Sequence, residues 1–165
     1  MTLHTNLAPA PQQGFMGSYL EMLSLVERLH RLLLDVIKDE FERVGILEIN
    51  AVQALLLFNI GENEVTAGEL KSRGYYQGSN VSYNLKKLVD TGYMHHQRCA
   101  IDRRSVRVRL TQKGRDVRQL IARLFARHAD GLQEKGVVGL DGLDEIAHTL
   151  KRLERYWGEQ IRYIY

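Results

Sequence analysis

The chain has 165 residues, 23 Lys and Arg against 20 Asp and Glu, and one cysteine. That length allows one domain with a real core, or two small lobes sharing helices. No apolar run approaches the ~20 residues that span a bilayer, no basic-then-apolar leader opens the chain, and the lone Cys99 excludes an intrachain disulfide and fits a reducing cytoplasm.

Charge is unevenly spread. From Thr66 to Arg118 there are 12 Lys and Arg against 4 Asp and Glu, a surplus of eight positive charges. The remainder carries 11 basic and 16 acidic residues, a surplus of five negative charges. A basic stretch inside an acidic frame is the footprint of a chain that binds nucleic acid with one part only.

Residues 1–14 hold both prolines and read as a flexible tail. Ser18-x-x-Glu21 is a capping box and predicts a helix from near Ser18, or one turn before it, to about Val44, stopping before Gly45. Its length would be roughly 40 Å. Its apolar positions, among them Met22, Val26, Leu29, Leu33, Ile37 and Phe41, make a stripe broader than one helical neighbour needs. Such a stripe asks for burial against several helices, and a second subunit is the economical source.

Asn50-x-x-Gln53 caps a second helix, apolar on every side from Ala54 to Phe58 and closed by Gly61, which should lie at the centre of its lobe. Glu64-Val65 is expected to form a short strand against a later hairpin. Thr66-x-x-Glu69 opens a helix of two turns ended by Gly74, and Ser79 caps a polar helix that runs to Thr91 and Gly92. A short helix, a glycine-containing turn and a polar helix make a helix-turn-helix.

At 100° per residue, Val81, Leu85 and Leu88 share one face of the polar helix, with Val89 at its edge. Ser79, Asn80, Tyr83, Lys86 and Lys87 share the other, with Ser82 at the boundary. Alone, this helix is explained as an ordinary solvated surface. The segment that follows changes the reading. Tyr93 to Cys99 reads as a strand, and Val106-Arg107-Val108-Arg109-Leu110 alternates apolar and basic, which is a half-buried strand with a cationic wet face. Ala100 to Ser105 would be the hairpin tip. Thr111 caps a helix from Gln112 to about Lys135, closed by Gly136, and Asp141-x-x-Asp144 opens a last helix to about Arg162.

The predicted fold class is therefore mainly α with a small β wing. Residues 47–118 form a winged helix-turn-helix lobe for DNA, and residues 15–46 and 119–165 form a helical dimerisation lobe built from both termini.

In this arrangement the chain resembles the MarR family of bacterial transcriptional regulators. The likeness is carried by "LVDTGYMHHQRCAIDRRSVRVRLTQKG", with the wing signature Asp102-x-Arg104-Ser105 and the segment Leu110-Thr111-x-x-Gly114. More narrowly, "YYQGSNVSYNLKKLVDTGY" resembles alphaproteobacterial regulators of peptidoglycan L,D-transpeptidase genes. The resemblance implies a homodimer on a pseudo-palindromic operator, the polar helix in the major groove and the wing arginine, Arg104, in the minor groove, held by Asp102. Arg103 is then freer to meet a phosphate.

The chemistry suits these places. An arginine in a minor groove meets the negative potential that A·T tracts concentrate there. Ser79 and the amides of its helix end suit a phosphate, Asn80, Ser82 and Tyr83 suit base edges, and Lys86 and Lys87 suit the backbone. Family members bind phenolic or aromatic ligands where the lobes meet, and Ile37, Phe41, Leu55 and Phe58 are the residues expected there; the alternative is that these four are simply core.

The expected function is transcriptional regulation by a homodimer, as a repressor or dual regulator whose double-stranded DNA affinity a small apolar or aromatic effector modulates. One alternative is a winged-helix module that binds proteins and has no operator. Another is an oxidant sensor built on Cys99, against which stands the commoner role of a strand cysteine as a small apolar residue. His95 and His96 are adjacent and point to opposite strand faces, so they do not chelate one ion together. Nothing in the sequence groups a nucleophile, a base and a carboxylate, so neither catalysis, a cofactor nor a metal is expected.

Overall fold

The structure, a computed structural model, describes residues 11–72, 78–98 and 106–164. Its elements are α1 (Pro11–Val44), α2 (Ala51–Ile60), β1 (Val65–Thr66), α3 (Ala67–Ser72), α4 (Gly78–Asp90), β2 (Met94–Arg98), β3 (Val106–Leu110), α5 (Gln112–Glu134) and α6 (Leu140–Ile164). The fold is mainly helical, with one antiparallel sheet in the order β1-β3-β2.

Three helices end alike. Gly45, Gly92 and Gly136 take positive φ of 79°, 84° and 61°. The next N–H donates back to a carbonyl five residues earlier: Ile46 to Phe41 at 2.9 Å, Tyr93 to Leu88 at 2.9 Å and Val137 to Leu132 at 3.0 Å. This closure needs a residue without a Cβ, so the glycines punctuate α1, α4 and α5 as the sequence reading expects.

Two capping boxes form as read. Asn50 Oδ1 accepts from Gln53 N–H at 2.8 Å while Gln53 Oε1 accepts from Asn50 N–H at 3.0 Å. Thr66 and Glu69 exchange the same pair of bonds at 3.0 and 3.1 Å. The third does not: Ser18 and Glu21 lie inside α1, which already begins at Pro11. A proline suits a first helical position, where its missing N–H costs nothing, so the true start is several residues earlier than the Ser18 signal indicates. Residues 11–14 accordingly belong to the helix and not to a tail. With 34 residues α1 is about 50 Å long. Gly74 lies outside the described residues.

The chain divides into two compact units, Met1–Ile121 and Ala122–Tyr165. In the first, α2 is the central helix, with Ala54, Leu56, Leu57 and Ile60 buried. Ile37 and Phe41 of α1, Leu70 of α3, and Val81, Leu85 and Leu88 of α4 complete the helical part of this core. Val65, Val108 and Leu110 bury the inner face of the sheet, where β1 joins β3 through Val65 opposite Val108. The short β1 is thus real, one residue later than the sequence places it. In the second unit, α6 leaves Leu143, Ile146, Leu150, Trp157 and Ile161 exposed. Independently, α1 leaves Phe15, Leu20, Leu29 and Leu32 exposed.

The start of α5 is tied to the end of α4. Thr111 Oγ1 donates to Gly92 O at 2.7 Å and accepts from Gly114 N–H at 3.1 Å, while Thr111 N–H donates to Tyr93 O at 3.1 Å. Gly114 packs directly on that backbone: a Cβ there would stand 2.2 Å from Tyr93 O. This close approach is the physical content of Leu110-Thr111-x-x-Gly114. Because the obstacle is backbone, Gly114→Ala should destabilise the protein by about 1–3 kcal/mol, typical of overpacking. Urea titration checks this; an unchanged midpoint would contradict the tight approach.

Candidate nucleic-acid interface

The sequence of α4 divides it cleanly. Val81, Leu85 and Leu88 are buried, while Asn80, Ser82, Tyr83, Lys86 and Lys87 are exposed, Tyr83 at 68%. Neither lysine makes an ion pair among the described residues. Ser79 falls in the first turn of α4; its side chain lies outside the described residues. So do Asp102, Arg103, Arg104 and Cys99, and with them the wing tip.

What supports the wing is described. β2 and β3 pair from Met94 opposite Leu110 to Arg98 opposite Val106. His95 stands opposite Arg109 and Gln97 opposite Arg107, so one wet face carries two guanidinium groups and an imidazole. Arg107 lies 3.9 Å from Glu64, a loose surface pair that contributes little. The other face meets α4: a half-open cavity of about 440 Å³ there is lined by Leu85, Val89, Val106 and Val108, with Ser82, Lys86, Asp90 and His96.

A second cluster joins the loop after α1 to the base of the hairpin. Lys113 Nζ donates to Glu48 Oε2 at 2.7 Å and to Thr91 O at 3.1 Å, and lies 4.4 Å over the Tyr93 ring. The Tyr93 hydroxyl donates to the same Glu48 oxygen at 3.1 Å. The hydrogen bond from Lys113, then that from Tyr93, hold the Glu48 carboxyl below the usual carboxylate range. The bond to Glu48 raises Lys113, and burial followed by the bond to Glu48 raises the Tyr93 phenol. Arg118 reaches Glu62 at 3.1 Å and lies 5.9 Å from the Phe58 ring.

The four residues expected around an effector differ in burial. Ile37 and Phe41 are buried in the core, and Leu55 and Phe58 are half-buried on α2. Of these, Phe41 borders a groove of about 420 Å³ whose floor includes Leu34, Ile46, Leu47, Ile49 and Val52, with Asp35, Lys38 and Glu42 from α1 beside them. The groove therefore sits at the α1–α2 loop.

Two buried polar side chains were given no such role by the sequence reading. Gln53 of α2 is 3% exposed and Asn84 of α4 is 8% exposed. Gln53 Nε2 donates to Asn84 Oδ1 at 3.2 Å. Asn50-x-x-Gln53 is readable as a cap, but its second use depends on which helix crosses α2. Glu48 and Lys113 were missed for the same reason, being 65 positions apart.

A short helix, a polar helix and a three-stranded antiparallel sheet define a winged-helix lobe. Residues 49–114 match the family model described as a winged helix DNA-binding domain. The chain is 38% identical over 148 residues to the exopolysaccharide II synthesis transcriptional activator ExpG of Rhizobium meliloti (strain 1021), covering 88% of this chain and 75% of that protein. Its fold is shared with the transcriptional regulator SlyA (TM-score 0.71, 19% identity, 87% of this chain and 99% of that one). It is shared also with Streptococcus pneumoniae FabT, solved in complex with DNA (TM-score 0.64, 19% identity, 86% and 99%). The chain belongs to the MarR family of winged-helix transcriptional regulators, a non-enzymatic family. The family is shown without the narrower L,D-transpeptidase-regulator subgroup.

The lowered Glu48 carboxyl gives a signed expectation. A depressed acid contributes stability above its unfolded pKa and loses it as pH falls through the folded value. Glu48→Gln should therefore lower the melting temperature at neutral pH. The gap from the native protein should then close as pH falls from about 5 downward. A gap constant from pH 7 to pH 3, followed by circular dichroism, would contradict the Glu48–Lys113 link.

Proposed function

We propose that the protein is a homodimeric regulator that reads a pseudo-palindromic operator with α4 in the major groove and the wing in the minor groove. The observation that carries this reading is the exposed face of α4: an amide, a hydroxyl, a phenol and two ammonium groups, on a helix whose opposite side is locked into the core. Asn80, Ser82 and Tyr83 take base edges, Ser79 a phosphate at the helix start, and Lys86 and Lys87 the backbone. Arg104, positioned by Asp102, takes the minor groove, and Arg103 a neighbouring phosphate.

Support for the dimer comes from the apolar residues that α1 and α6 each leave in solvent, Phe15, Leu20 and Leu29 on one, Ile146, Leu150 and Ile161 on the other. Residues 15–46 and 119–165 are then the dimerisation lobe. Exposed apolar surface of this extent marks an association site, and a second copy is the occupant that gives an operator reader its two-fold symmetry. The regulator works in the cytoplasm, where its operator is. A small apolar or aromatic effector seated beside Phe41, against the α1–α2 loop, shifts the spacing of the two recognition helices away from that of successive major grooves. ExpG is named as an activator, which favours the dual-regulator form of this reading over a simple repressor.

Selecting bound genomic fragments with the full chain supplies the operator. On that duplex, each lysine lost from α4 removes a phosphate contact from both subunits. Lys87→Ala should lower the log–log salt slope by about 1.8, two contacts at about 0.9 each. Arg104→Ala should weaken binding at modest salt while leaving the dimer intact in sedimentation. Operator affinity unchanged in Arg104→Ala would remove the minor-groove assignment, and a slope unchanged in Lys87→Ala would remove α4 from the backbone.

A further inference from the structure

Among the described residues, the buried face of α4 holds one polar side chain beside three aliphatic ones. Val81, Leu85 and Leu88 pack by contact alone, which has no preferred direction. Asn84 is different, because its Oδ1 accepts a directional bond from Gln53 Nε2 at 3.2 Å. Gln53 in turn cannot turn away. Its Oε1 is committed to Asn50 N–H at 3.0 Å, in the capping box that starts α2. An inverted amide would set its NH2 against that N–H, donor facing donor. One glutamine thus holds the first turn of the central helix with one end and the recognition helix with the other.

We infer that Gln53 and Asn84 are the positioning pair that sets the roll of α4 about its own axis, and so the sequence discrimination of the protein. The inference rests on the operator-reading role of α4 proposed above. Asn80 and Lys87 lie one turn to either side of Asn84, about 40° and 60° from it around the helix, and both face solvent. A roll of about 15° carries a side-chain end about 6 Å from the axis through roughly 1.5 Å. That displacement breaks a base-edge hydrogen bond, which tolerates only a few tenths of an ångström. It leaves phosphate attraction nearly intact, since ammonium groups act at longer range. A roll of this size also strains the aliphatic packing between α2 and α4, but only the amide pair favours one angle through a directional bond. Specificity, not total affinity, is what the pair controls.

The test compares binding to the duplex selected from genomic fragments with binding to a random-sequence duplex of equal length, across a salt titration. Asn84→Leu keeps the branching of the side chain and removes the acceptor. Gln53→Met keeps the length and removes the donor. Gln53→Glu keeps the cap on Asn50, and its carboxylate can accept from Asn84 once that amide turns. Asn84→Leu and Gln53→Met should each lower the specific-to-random ratio at least tenfold with an unchanged salt slope, and Gln53→Glu should stay within threefold of the native protein. Folding is followed in parallel by circular dichroism. A lower melting temperature with an unchanged ratio would mean that the pair only packs, and would overturn the inference. If Asn84→Leu does not fold, Gln53→Met against Gln53→Glu decides, equal ratios overturning it. A native protein that selects no sequence at all would instead remove the operator reading beneath it.

Discussion

Tyr93 is the point on which the lobe turns. Its N–H closes α4 through Leu88 O, its carbonyl receives Thr111 N–H, and its hydroxyl donates to Glu48. One residue therefore joins the end of α4, the start of α5 and the loop between α1 and α2. Gly114 completes the joint by having no side chain where the Tyr93 carbonyl passes. The strands β2 and β3 leave this joint as a pair, so the hairpin inherits its direction from the same backbone bonds that end α4. Under the proposed reading, a helix and a wing that meet two grooves of one duplex gain from such a shared origin.

Below the joint, α2 supplies the reference frame. Its Ala54, Leu56 and Leu57 are buried and it packs on both α1 and α4. Most of that contact is aliphatic and contributes burial without direction. The Gln53–Asn84 bond adds direction at a single point, and Lys113 with Glu48 adds it at another. The lobe is thus held by oil and aimed by a few polar contacts, a division seen wherever buried amides specify one arrangement of an otherwise tolerant core.

Much of this was legible in the sequence because it is local. Gly45, Gly92 and Gly136 each sit one or two residues past an amphipathic run, and all three close helices. Val106 to Leu110 alternates with period two and forms β3. Asn50 with Gln53 and Thr66 with Glu69 cap as spelled. Ser18 with Glu21 spells the same box and caps nothing, because residues 11–17 are themselves helix-compatible and α1 runs through it. A cap signal reports that a helix can start, not that it must. The contacts between distant positions were not legible: Glu48 to Lys113 and Gln53 to Asn84 depend on how helices cross. Helical spacing puts Ile37, Phe41, Leu55 and Phe58 on plausible faces, but only the fold decides that Ile37 is sealed in while Phe41 borders a groove.

The central claim is that the exposed face of α4 reads base edges and that the remainder of the lobe exists to hold it there. The most direct measurement is the ratio of binding to the selected duplex over random duplex for Asn80→Ala combined with Tyr83→Phe. These exposed substitutions remove an amide and a hydroxyl without touching the core. The account expects the ratio to fall tenfold or more with the salt slope unchanged. A ratio equal to that of the native protein would place sequence reading elsewhere and contradict it.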